Sequence, residues 1–116
     1  MPNPFWRDGL IQPSLDTEVD AAIAEQLSIL ANDPQNAKAF FALGTLSNFR
    51  GQIEDAILYL NKAIELDPSA AAPHLNLGRI FAVQGNYQEA WKHARAAEAL
   101  GANELVEMLE RYPNLK

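Results

Sequence analysis

The chain repeats itself at a shift of 34 residues, and this constrains its fold more than any other feature. Leu43 falls on Leu77, Gly44 on Gly78, Gly51 on Gly85, Ala56 on Ala90, Ala63 on Ala97 and Leu66 on Leu100. The register continues upstream. Ala22 and Ile23 lie 34 residues before Ala56 and Ile57, and Asp33-Pro34 lies 34 before Asp67-Pro68. A period of roughly 20–50 residues marks a supersecondary unit stacked on copies of itself. Such a unit cannot bury its apolar face alone, so its neighbours complete the core.

Each unit reads as two helices. Over 36–49, Ala39, Phe40, Leu43 and Leu46 recur at helical spacing. Gly51 then permits a turn that a side chain would resist. Over 53–66, Ile53, Ala56, Ile57, Leu60, Ala63 and Ile64 share one side. Asp67-Pro68 ends that helix, because the residue before proline is pushed out of the α region. The second unit gives helices over 71–83 and 86–99, with a turn at Gly85 and a stop at Gly101. Pro73 falls in a first turn, where its missing N–H costs little. Mid-helix glycine costs about 1 kcal/mol against alanine. Gly44 and Gly78 at one register therefore predict a close helix crossing, with Ala56 and Ala90 as the facing residues.

The ends differ. Residues 15–32 read as one helix in register with the second helix of a unit, capped by Ser14 or Asp16. Before it, MPNPFWRDGLIQP holds three prolines and a glycine, which disfavours a regular helix. Phe5-Trp6 and Leu10-Ile11 there read either as a cover for the first helix of the stack or as a docking segment. At the other end, Leu105, Met108, Leu109 and Tyr112 recur at helical spacing and Pro113 follows. That is a capping helix, which a stack needs over its last apolar face.

These residues resemble the tetratricopeptide repeat (TPR), whose pattern runs W-x2-L-G-x2-Y, then A-x3-F, then P. The first unit gives Phe40-x2-Leu43-Gly44-x2-Ser47, Ala56-x3-Leu60 and Pro68. The second gives His74-x2-Leu77-Gly78-x2-Phe81 and Ala90-x3-Ala94, with Ala102 where proline is expected. Ser47 leaves an aromatic slot empty, and His74 replaces an aromatic. The resemblance covers roughly residues 16–102. It implies an all-α helix-turn-helix solenoid of about six helices. Its parts are an arm (1–14) and a repeat domain (15–112). The domain comprises a half repeat (15–34), two repeats (37–70 and 71–102) and a capping helix (103–112).

TPR proteins bind other proteins, and the resemblance implies a concave groove lined by the first helix of each pair. Its groove positions fall on Lys38, Phe41, Ala42, Thr45, Asn48 and Phe49. In the second unit they fall on Ala72, Leu75, Asn76, Arg79, Ala82 and Val83. Asn76 matches an asparagine that in the family often bonds a ligand's backbone. The carboxylate-clamp version needs lysine and asparagine where this chain has Phe41 and Thr45, so it is disfavoured. The residue pattern points the same way. Phe41, Thr45, Asn48 and Phe49 form a stripe apart from Phe40, Leu43 and Leu46, and predict an exposed apolar patch. Packing of Phe41 or Phe49 under a neighbouring segment is the competing reading.

Composition narrows the chemistry. The 116 residues hold no cysteine, which excludes a disulfide framework, thiolate chemistry and Cys-ligated zinc. No apolar run approaches the ~20 residues of a membrane span. No basic-then-apolar leader is visible, so a cytoplasmic location is expected. His74 and His93 stand nineteen apart with no metal-binding spacing around them. The carboxylates sit at helix starts and solvent faces, and no serine has a nucleophile-elbow setting. No catalytic residue, cofactor or metal is expected, and Lys38, Arg50 and Arg79 are too few for nucleic acid.

The net charge is −6, but no acid lies between Asp33 and Glu54 or between Asp67 and Glu89. Those gaps hold the two first helices. The expected partner is therefore an apolar protein segment with an acidic or carboxylate element, met by Lys38 and Arg79 with Arg50 at the edge. Self-association through the groove or the arm, giving a homo-oligomer, is the alternative.

Overall fold

The computed structural model describes residues 12–112. The arm residues Phe5, Trp6, Leu10 and Ile11 lie outside the described residues. Helices α1 (Gln12–Asn32), α2 (Ala37–Phe49), α3 (Ile53–Leu66), α4 (Ala72–Val83), α5 (Tyr87–Ala99) and α6 (Glu104–Glu110) follow one another, with no strand among the described residues. The dominant pairings are α2 on α3 and α4 on α5. Helix α1 packs on α2, α3 on α4 and α5 on α6, so the pairs stack in chain order. The expected all-α stack of six helices is the fold.

Local chemistry sets the boundaries. Asn36 caps α2, its side-chain oxygen accepting from the Ala39 N–H at 2.9 Å. Asn86 caps α5 through the Glu89 N–H. At Gly51 and Gly85, φ is 81° and 80°, left-handed values that glycine adopts without a Cβ penalty. There the following residue returns its N–H to the last turn, Gln52 to the Ser47 carbonyl and Asn86 to the Phe81 carbonyl. Helix α1 departs from expectation. It is already helical at Gln12, so Ser14 and Asp16 sit within it rather than capping it.

The interior is built from small residues met by leucines. A Cβ on Gly44 would lie 2.6 Å from Leu60 Cγ and 3.3 Å from the Ala56 carbonyl oxygen. The close crossing holds, but leucine, not alanine, fills the space over the glycine. In the second unit the residue equivalent to Leu60 is Ala94, too short for that task. A Cβ on Gly78 would overlap the Leu105 Cδ2 methyl instead. Helix α6 thus supplies from outside the repeat the side chain that the repeat lacks. Leu43, Leu60, Leu77, Leu105 and Leu109 are the largest fully buried side chains, each contributing about 1.5–3 kcal/mol of burial.

Candidate protein-binding face

The face begins with helical spacing. Lys38, Phe41, Thr45 and Asn48-Phe49 recur every three or four residues on α2. Ala72, Leu75-Asn76, Arg79 and Val83 do so on α4. One contact joins the two stripes. Asn76 Nδ2 donates to Thr45 Oγ1 at 3.1 Å, and that hydroxyl donates to the Phe41 carbonyl at 3.0 Å. Residues 31 positions apart thereby share one surface.

The expected residues are not equally available. Lys38, Thr45, Asn48, Phe49, Arg79 and Val83 are exposed. Phe49 is 64% exposed and Val83 89%, and they end α2 and α4 at the same repeat position. Phe41 is half-buried, packed against the cluster of Ala56, Leu60, Leu77 and Ile80. Its ring still lines a hollow of about 200 Å³ with Lys38, Ala70, Ala72 and Pro73. Asn76 and Ala42 are half-buried. Leu75 belongs to the buried cluster of Leu105, Val106 and Leu109, because α6 covers the side on which a further repeat would sit.

The charge on this face is more local than the sequence suggests. Lys38 and Arg79 have no ion-pair partner among the described residues. Arg50 is paired with Asp20 of α1, which removes it as a free cation at the edge. Asp67 lines the Lys38 hollow, and its Oδ1 accepts from the Ser69 hydroxyl at 2.7 Å and the Ser69 N–H at 3.2 Å. Among the described residues, no three His, Cys, Asp or Glu side chains are grouped to hold a metal, and no helix is long and apolar enough to cross a membrane.

One contact escaped the reading of the sequence. His74 and His93 meet with their Nδ1 atoms 2.9 Å apart. The repeat register carried the signal, since 34 residues earlier these positions are Phe40 and Tyr59. Those rings also meet, with centroids 6.2 Å apart.

Comparison with known proteins agrees with this architecture. A family model described as TPR repeat matches residues 50–85, which span α3, the turn after it and α4. The "Protein CTR9 homolog" of Arabidopsis thaliana is 31% identical over 109 residues, covering 91% of this chain. The chain spans about a tenth (10%) of that relative's length. The 34-residue period, the paired helices and the glycine crossings are those of a tetratricopeptide-repeat solenoid, and residues 50–85 match the family model itself.

Proposed function

We propose that this chain is a non-enzymatic interaction module that holds an extended segment of another protein against the concave face of α2 and α4. TPR units generally mediate protein–protein interaction. The observation that carries the reading is the pair Phe49 and Val83, large apolar side chains left in solvent at equivalent positions and flanked by Arg79. Aromatic residues and arginine are enriched among side chains that dominate binding energy. Lys38 and Arg79 favour an apolar segment bearing a carboxylate. The test is affinity capture with the double variant Phe49→Ala/Arg79→Ala. Capture is expected to fall at least tenfold, a loss of about 1.4 kcal/mol or more, with the helical circular-dichroism signal unchanged. Unaltered capture would remove these residues from the binding face.

The same exposed pair favours a second reading, in which copies of the chain associate through it. Stacking would extend a short array and add neighbour interfaces. Light scattering separates the two. A mass independent of concentration in the micromolar to millimolar range rejects self-association and leaves the first reading standing.

A further inference from the structure

The second repeat has replaced an aromatic pair by two histidines, and the exchange changes what the contact does. The Phe40 side chain has no polar atom, so its contact with Tyr59 is ring packing alone. His74 and His93 occupy the equivalent positions with ring centroids 5.2 Å apart. At 2.9 Å between Nδ1 atoms, one nitrogen must donate a proton and the other must offer a lone pair. The Phe81 ring stacks on His93 from elsewhere on α4, with a centroid distance of 5.7 Å and an interplanar angle of 13°. His93 is only 9% exposed, and its Cβ lies beside Gly78 at the helix crossing. The contact therefore ties α4 to α5.

The surroundings assign the proton. His93 Nε2 lies 4.0 Å from Glu89 Oε1. A proton on Nε2 faces that carboxylate and leaves Nδ1 of His93 as the acceptor. His74 is then the donor through its Nδ1–H. A first added proton goes to the remote Nε2 of His74 and leaves the contact intact. A second must go to His93 Nδ1, which points at the Nδ1–H of His74. Two donors then face each other, both on positive rings.

We propose that the His74–His93 contact is a proton-operated latch between α4 and α5, closed while the pair holds at most one added proton and released by the second. Burial keeps both rings below the ordinary histidine range, and the charge of His74 lowers His93 further. Glu89 opposes this shift and Lys92 adds to it, both from α5. Helix α6 brings Leu105 to this crossing, and no charged group of α3 or α6 contributes to either shift. The sign follows. The unfolded chain takes up protons near pH 6.5, before the folded one does, so acidification favours unfolding. The stabilisation is complete above about pH 6.5 and is lost as pH falls through the lower folded values.

Imidazole ¹H–¹⁵N spectra of the full chain between pH 4 and 8 test this, beside thermal unfolding of wild type and His74→Gln. At pH 8, His93 is expected as the Nε2–H form and His74 as the Nδ1–H form. Titration is expected in two separated steps belonging to the pair. The wild-type unfolding midpoint should fall by about 5 °C more than that of His74→Gln between pH 7 and pH 5. His74 is half-exposed, so this variant disturbs packing little. Two rings titrating independently near pH 6.5 overturn the latch, as do parallel midpoint curves for the two proteins.

Discussion

Replacing Leu105 by alanine is expected to lower the unfolding midpoint by on the order of 15 °C. The residue is 1% exposed, and leucine-to-alanine changes at such sites cost about 2–5 kcal/mol because the vacated space does not collapse. Gly78 lies against the Leu105 Cδ2 methyl, and Ala90, Ala94 and Ala97 of the same cluster are too short to reach into the vacated space. The repeat itself suggests a repair. Leu60 fills this place in the first unit, so Ala94→Leu should recover part of the loss when combined with Leu105→Ala. The same Ala94→Leu change alone should destabilise, since two leucines would then compete for one space. Thermal melts of the two single variants and the double variant read this directly. Additive losses in the double variant would contradict the assignment of α6 as the donor of the missing side chain.

Replacing Gly44 by valine is expected to cost about 2–3 kcal/mol, despite valine's better helix propensity. The Cβ alone would sit 2.6 Å from Leu60 Cγ and 2.8 Å from its Cδ2. The clash includes the branch atom Cγ of a buried leucine, which rotation about the outer torsion does not move. Gly78→Ala is the contrasting change. Its clash is with a terminal methyl of Leu105, which a rotamer change can move, while alanine regains about 1 kcal/mol of helix propensity. Denaturant titration should therefore separate the two sites clearly. Equal effects would mean that the two crossings are not built as described.

Helix ends at Gly51, Gly85 and Asp67-Pro68 were legible because glycine and proline act locally, through φ and a missing N–H. The two glycine crossings were legible because the repeat doubled the signal. Leu60 and Leu105 as the filling side chains were not. They depend on which rotamer reaches across a crossing, and Leu105 comes from outside the repeat. The start of α1 was misplaced because Pro13 is compatible with a first turn, where it removes no helical hydrogen bond. On the candidate face, spacing alone grouped Leu75 with Asn76 and Arg79. Only the position of α6 decides that Leu75 is buried while Arg79 is not. Arg50 is expected from the sequence at the edge of the face, and only the placement of α1 shows that Asp20 pairs with it.

The division of labour between helices follows from the same geometry. Second helices α3 and α5 carry Glu54, Asp55, Glu89 and Glu98 and complete the stack with Ala56, Ala63, Ala90 and Ala97. First helices α2 and α4 carry no acid and keep Phe49, Arg79 and Val83 in solvent. If the proposed face is the binding face, a partner segment following α2 and α4 would meet apolar and cationic side chains, with Asp67 beside Lys38 as the acid at its edge.

Amide chemical-shift mapping of the ¹⁵N-labelled chain, titrated with a captured partner segment, tests this division most directly. Shifts are expected at Lys38, Phe41, Thr45, Phe49, Asn76, Arg79 and Val83, with Leu58, Lys62, Lys92 and Glu98 unmoved. Shifts concentrated on α3 and α5, with α2 and α4 silent, would contradict it.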